Sequence, residues 1–339
     1  DPDADDSARQ SSNPSFHGAH VAGTVAAQGF NGLGGLGVAP MAQIMPLRVL
    51  GEGGSGSFYD ILQAIRYAAR LSNDSGTLPA RRADVINLSL GGNGACPTEM
   101  AQLFAQVRAQ GTVVVAASGN ESQANSLTPV GVPANCPGVL AVGASDAQRG
   151  RAFYSNGGPE LAVVAPGGDV TKSSSGSGEP DGIFSTVAEF SVNGSRVPTY
   201  THLMGTSMAT PHVAGVVALM RWVNPNMGVS AIEDLIRNGT ITQDLGAAGR
   251  DNLFGAGLIN AKLAVDAALA SVGGPSPNPQ QGFIEAAPSS ISLGAVRSTA
   301  DLAVLRVGAT TETVAAISAS PSAVISVAPK AGAVDANGL

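Results

Sequence analysis

The sequence predicts an α/β fold. It is read as a mainly parallel central sheet with helices on both faces, followed by part of a β-sandwich. Three observations lead there. Short runs such as Thr112-Val113-Val114-Val115-Ala116-Ala117 are apolar without alternation, which suits strands buried on both faces. Segments of helical spacing separate these runs, and strand-helix-strand order is what a parallel sheet requires. The periodicity then changes after Gly273-Gly274-Pro275-Ser276-Pro277-Asn278-Pro279-Gln280-Gln281, a linker by composition.

Taken in order, residues 1–16 are polar and carry no strand, and 17–28 read as a helix. A Gly-rich turn from Asn31 to Gly37 leads into Val38-Ala39-Pro40. Gln43 to Leu50 reads as a buried strand through Ile44, Met45, Leu47, Val49 and Leu50. After a Gly/Ser loop, Phe58 to Leu71 has helical spacing at Ile61, Leu62, Ile65, Ala68 and Ala69. Val85 to Leu90 is the next strand, ending at Gly91-Gly92. A helix runs from Thr98 to Gln110 and stops at Gly111, ahead of the strand 112–117. Val139 to Ala144 and Leu161 to Ala165 are two more strands. Residues 169–200 are rich in Ser, Gly and Pro and read as surface loops or hairpins. Met208, Ala209, Val213, Ala214, Val216, Val217, Ala218, Leu219 and Met220 make a helix apolar almost all round, hence buried. Short helices at Ala231 to Arg237 and Ala261 to Ala270 follow. This divides the chain into 1–272, the linker 273–281, and 282–339. In the last part Ile291-Ser292-Leu293, Asp301 to Val307 and Val324 to Val327 suit short strands of an immunoglobulin-like domain. It falls short of the roughly 100 residues such a domain needs, so the chain is expected to stop inside it.

Composition narrows the function. Hydrophobic residues at 44% and charged residues at 13% suit a globular protein, and 44 glycines mark it as rich in loops. The net charge is −7 with no basic run, which argues against nucleic acid as a partner. No apolar run reaches the roughly 18 residues of a membrane span. The chain opens without Met or a signal peptide, in the acidic stretch Asp1-Pro2-Asp3-Ala4-Asp5-Asp6, so it is read as processed or truncated. Cys96 and Cys136 both lie in polar, Pro-containing loops beside strands. They are expected to form a disulfide, which implies an oxidising compartment.

Chemistry concentrates in two stretches. One is Gly205-Thr206-Ser207-Met208-Ala209-Thr210-Pro211-His212-Val213-Ala214-Gly215. Ser207 sits where a turn becomes a helix, so its hydroxyl can face a cleft that first-turn N–H groups also face. By itself such a serine reads as a helix cap. Pro211 leaves the Ser207 carbonyl without a helical donor, which is best tolerated at a helix start. A lipase-type Gly-x-Ser-x-Gly pattern is broken by Ala209. The other stretch is His17-Gly18-Ala19-His20-Val21-Ala22-Gly23-Thr24-Val25-Ala26-Ala27, where Gly18 and Gly23 allow close backbone approach. Of the remaining histidines, His20 and His212 read as core residues and His202 as a loop residue.

Together the two stretches resemble the His and Ser motifs of the subtilisin-like serine proteases, the subtilases. Ala19 departs from the usual Thr, and the resemblance covers roughly residues 15–270. It implies His17 as general base and Ser207 as nucleophile. Asn120, ending Ala116-Ala117-Ser118-Gly119-Asn120 beyond a strand end, is implied as oxyanion donor. It also implies that Ser89-Leu90-Gly91 and Gly54-Ser55-Gly56 flank a bound peptide as an added strand. Ala117, Ser118, Gly119 and Gly131 would line the pocket for the residue before the cleaved bond. None of these four is charged, so apolar or uncharged side chains are expected there.

The family's triad acid comes first in the chain, as Asp-Ser-Gly or Asp-Thr-Gly at a strand end. Asp6-Ser7-Ala8 lacks the preceding strand, and Asp84, Asp146 and Asp169 come too late. The N-terminal part of the domain is therefore read as missing, and the chain by itself as inactive and loosely folded. Ca²⁺ is possible as a structural ion near Asn31-Gly32-Leu33-Gly34-Gly35, although that turn has no carboxylate. No metal ligands are assigned and no cofactor is required. The reading is a secreted, monomeric endopeptidase of broad specificity acting on proteins or peptides. Its rival is a non-catalytic subtilase-like binding or adhesion module, which the coding sequence upstream of residue 1 would discriminate.

Overall fold

Strands covered on both faces can be apolar at every position, and the central sheet here is built that way. The computed structural model describes residues 16–29, 31–51, 54–174, 176, 178–190 and 195–272, and the strands 283–287 and 303–307. The chain divides into two units, Asp1–Val272 and Gly273–Leu339. The first opens with α1 (His17–Ala26), α2 (Phe58–Ala68), β1 (Val85–Leu88), α3 (Thr98–Ala109), β2 (Val113–Ala117), β3 (Leu140–Ser145) and β4 (Leu161–Pro166). A hairpin of β5 (Ile183–Phe190) and β6 (Arg196–Leu203) follows. Then come α4 (Thr206–Val223), α5 (Val229–Arg237), β7 (Thr242–Gln243), β8 (Leu258–Ile259) and α6 (Ala261–Ser271).

The sheet order is β1-β2-β3-β4-β8-β7, parallel throughout except between β8 and β7. All of β2 and β3 is buried, as is β4 up to Ala165. Alternate residues of β2 serve different layers. Val113 and Val115 join Val213, Val217 and Met220 of α4 and Ile232 and Ile236 of α5. Val114 and Ala116 join Ile61 and Ile65 of α2 and Met100, Phe104 and Val107 of α3. Helices therefore cover both faces, as the sequence predicts.

Local chemistry sets several element ends. Ser57 caps α2 by accepting from the Asp60 N–H, and Asn260 caps α6 by accepting from the Leu263 N–H. Residues 169–200 supply the antiparallel β5–β6 hairpin, which is anchored to α1 by side chains. Ser185 Oγ donates to the His20 carbonyl at 2.8 Å and Thr186 Oγ1 to the Ala19 carbonyl at 2.9 Å. Gly23 makes this approach possible, because a Cβ there would lie 2.2 Å from Thr186 Oγ1. Gly18 has no such role, since nothing lies within 4 Å of a Cβ built on it.

Two sequence expectations are corrected here. Gln43 to Leu50 is not a strand. Its apolar run suits burial, but Ile44 is 44% exposed and only Val49 packs on the core. A strand needs a partner edge, and among the described residues the sheet ends at β1 without pairing to this segment. His202 lies on β6 and not in a loop, tilted against the Phe184 ring and 3.8 Å from Glu179.

Cys96 and Cys136 are bonded, with Cα atoms 5.1 Å apart, and tie the loop after β1 to the loop before β3. In the second unit, β9 (Phe283–Ala287) and β10 (Ala303–Val307) pair antiparallel, with Phe283 opposite Val307. The sequence reading did not anticipate β9. The expected strands at Ile291 to Leu293 and Val324 to Val327 lie outside the described residues.

Candidate active site

The site is assembled where β1, β2 and α4 converge. α4 begins after Gly205, whose φ of 150° lies outside what side chains tolerate. The Gly205 N–H donates to the Gly167 carbonyl and to the Tyr154 hydroxyl at 2.9 Å. That hydroxyl in turn donates to the Gly168 carbonyl at 2.8 Å. Burial pushes the Tyr154 phenol well above its ordinary pKa, so the proton stays on it. The turn that presents Ser207 is thus held by buried groups.

Ser207 itself is half-buried. Its hydroxyl donates to the Ser89 carbonyl over a long 3.4 Å, and Ser89 Oγ donates to the Ser207 carbonyl at 2.7 Å. Asn120 follows the end of β2. Its Oδ1 accepts from the Thr206 N–H at 2.8 Å and the Thr206 hydroxyl at 2.9 Å. With the oxygen so occupied, the Nδ2 amide remains as the donor, near Gly205 at the start of α4.

A depression collects most of the predicted residues. Leu90, Gly91 and Gly92 form one wall, residues 117–121 a second, Gly131 a third, and Thr206 and Ser207 the fourth. Gly131 must be glycine, because a Cβ there would lie 2.6 Å from the Gly92 carbonyl oxygen. Gly54, Ser55 and Gly56 are exposed and do not line this depression; the loop closes on itself through Gly51 N–H to Ser55 O and Gly54 N–H to Gly51 O.

Three residues missed by the sequence reading belong here. Thr206 orients Asn120. Glu121 brings a carboxylate to the depression, accepting from the Asn120 N–H at 2.9 Å and from Asn156 Nδ2 at 2.6 Å. The fully buried Asn156 also accepts the Glu121 and Ser122 N–H groups on Oδ1 and so sets the turn 119–122. Glu121 was visible as the charge beside Asn120. Asn156 lies too far along the chain for any local signal.

His17 is the first residue of α1, which packs against both α4 and β5. Burial holds its pKa below the ordinary 6.5. His20 is fully buried, and its Nε2–H donates to the carbonyls of Ile183 and Thr201. His212 Nδ1–H donates to the Met208 carbonyl. Asp146 and Asp169 both pair with Lys172, and Asp84 pairs with Arg82. Asn31 Oδ1 accepts the Leu33 N–H, closing its own turn. Among the described residues no three His, Cys, Asp or Glu side chains gather as metal ligands, and no helix is long and apolar enough to cross a membrane.

Residues 1–257 match the model of the subtilase family. The chain is 40% identical over 257 residues to an extracellular protease of Xanthomonas campestris pv. campestris, covering 75% of this chain and 40% of that protein. It is 38% identical over 248 residues to subtilisin DY of Bacillus licheniformis, covering 73% and 77%. A solved protease structure from Pseudoalteromonas arctica PAMC 21717 superposes with a TM-score of 0.65 at 39% identity, covering 74% and 70%. The chain thus spans well under two thirds of the Xanthomonas relative's length. With the fold matched by a solved protease and the family match running through both the His17 and the Ser207 stretches, the chain belongs to the subtilase family.

Proposed function

We propose that this chain carries the catalytic apparatus of a secreted serine endopeptidase, cutting peptide bonds by acyl transfer. The observation that carries the reading is that Ser207 lines one depression with Asn120, whose amide oxygen is already taken by Thr206. Ser207 Oγ attacks the peptide carbonyl carbon while His17 takes its proton. The oxygen gains charge and accepts from Asn120 Nδ2 and the Ser207 N–H. His17 returns the proton to the leaving amine, and water repeats the sequence on the acyl-enzyme. Ser89, Leu90 and Gly91 offer main-chain groups to the peptide from one side, and the loop Gly54–Gly56 is assigned the other.

The depression between Leu90, Ala117, Gly119 and Gly131 takes the side chain before the cleaved bond. Its walls favour apolar or uncharged groups. Glu121 adds one negative charge, which disfavours acidic side chains there. Secretion is supported by the Cys96–Cys136 disulfide and by the extracellular relative. Family order puts the triad's acid ahead of His17, in a segment upstream of the motif.

The test is labelling with a phosphonyl reagent, followed by casein hydrolysis. Mass mapping is expected to find the adduct on Ser207 and labelling to abolish hydrolysis. A cooperatively folded protein that cuts casein with Ser207 unmodified by the reagent defeats the assignment.

A further inference from the structure

In an α-helix each carbonyl accepts from the N–H four residues on. The Ser207 carbonyl looks to position 211, which is Pro211, so α4 has no donor for it. The donor comes from a different element. Ser89 lies just past β1, and its hydroxyl donates to the Ser207 carbonyl at 2.7 Å. The same oxygen accepts from Asn87 Nδ2 at 2.9 Å. Asn87 thereby leaves the hydroxyl proton of Ser89 directed at Ser207. In the opposite sense, Ser207 Oγ reaches the Ser89 carbonyl at 3.4 Å. Ser207 is therefore tied to the end of β1 through both its carbonyl and its side chain.

We infer that Asn87 and Ser89 are positioning residues for Ser207, with the Ser89 hydroxyl replacing the helix N–H that Pro211 removes. The inference rests on Ser207 being the nucleophile. Its physical content is a transfer of register. A donor inside α4 would fix the Ser207 carbonyl relative to the helix axis alone. A donor on the segment that faces the peptide fixes it relative to the substrate. Ser89 and Leu90 offer their backbone to the peptide, so the attacking oxygen and the scissile carbonyl share one frame. Misplacement of a reacting atom by a fraction of an ångström is what such a tie prevents.

The test uses the full-length protein and a double-mutant cycle. Ser89→Ala keeps the backbone that pairs with peptide and deletes only the hydroxyl. It is expected to lower kcat about tenfold, with KM within about twofold, because one net hydrogen bond acting on the nucleophile is lost. The rate of Ser207 phosphonylation falls in proportion. Pro211→Ala puts an N–H back at the fourth position and is expected to recover most of kcat in the S89A background, with no gain in the wild-type background. Asn87→Ala, which only frees the hydroxyl to rotate, is expected to cost about threefold. It keeps the inference testable if S89A folds poorly. A drop in melting temperature with kcat unchanged in S89A and N87A would reduce both residues to structural ones. Failure of P211A to recover a folded S89A would also overturn the proposal. If the wild type itself is not labelled at Ser207, it is the catalytic assignment that falls.

Discussion

The region that carries Ser207 and the region that carries His17 are built differently. The Ser207 region stands on β2, β3 and β4, whose buried strands lie under α4, and its turn is wired through Tyr154, Thr206, Asn120 and Asn156. The His17 region stands on α1, which leans on the β5–β6 hairpin and is followed by a segment with Ile44, Met45 and Leu47 partly exposed. One side is fixed by the central sheet and buried hydrogen bonds. The other packs α1 on α4 but also depends on side chains of the β5–β6 hairpin and on a buried histidine. Changes of the same chemical size should therefore act locally on the first region and through docking on the second.

The largest expected effect separates chemistry from stability in the His17 region. His17→Ala should lower kcat by about 10²–10⁴, the usual worth of a positioned general base, while the thermal melt barely moves. A large fall in the melt would mean that His17 holds α1 in place more than it handles protons.

Glycine substitutions compare the regions directly. Gly119 has φ +113°, and a Cβ there would lie 2.2 Å from Asn156 Nδ2 and 2.6 Å from Glu121 Oε2. Gly119→Ala should cost about 1–3 kcal/mol of stability and lower turnover by displacing Asn120. Gly18 has open space around it, so Gly18→Ala should stabilise α1 by up to about 1 kcal/mol. Urea midpoints measure both, and equal effects at the two sites would erase the contrast.

Acid should loosen the packing of α1 and the hairpin against α4 first, where His20 and His212 lie. Burial lowers the pKa of His20, near His17 and His202, and of His212, near His20. Folded values below unfolded ones mean stability that is fully present above about pH 6.5 and is lost as pH falls through the folded values. The melting temperature should drop on going below pH 6.5, with amide protection lost in α1 and the hairpin before β2 and β3. Because His17 must be neutral to accept a proton, kcat/KM should fall on the acid side as His17 takes one up. An acid side that stays flat would contradict its role as the base.

The smallest effect belongs to the rim. Glu121 is exposed, so Glu121→Gln should improve cleavage after Glu relative to Leu by less than about fivefold, and less still in high salt. A loss of turnover on every substrate would instead assign Glu121 to holding the Asn120 turn.

Much of this was legible in the residues. The continuous apolar runs of β2, β3 and β4 and the two motif stretches are local facts, and local patterns survive into the fold. The disulfide was legible because both cysteines sit in loops flanking strands. The failures share a cause. Gln43 to Leu50 has a strand's composition, but pairing depends on an available edge, which no segment encodes by itself. His202 was read as a loop residue because hairpin pairing with Phe184 is a tertiary event.

The sequence by itself determined the sheet's middle, the buried helix α4, and the placing of Ser207 at its start with Pro211 four residues on. Those follow from periodicity, from side-chain size and from the missing N–H of proline. Only the tertiary structure decided which groups answer those local demands: Ser89 for the orphaned Ser207 carbonyl, Thr206 for the Asn120 oxygen, and Asn156 for the turn that carries Glu121. Ser89 and Asn156 lie more than thirty residues from the groups they satisfy. A hydrogen bond across that separation leaves no local periodicity, and it exists only once β1, β2 and α4 have been packed into one frame.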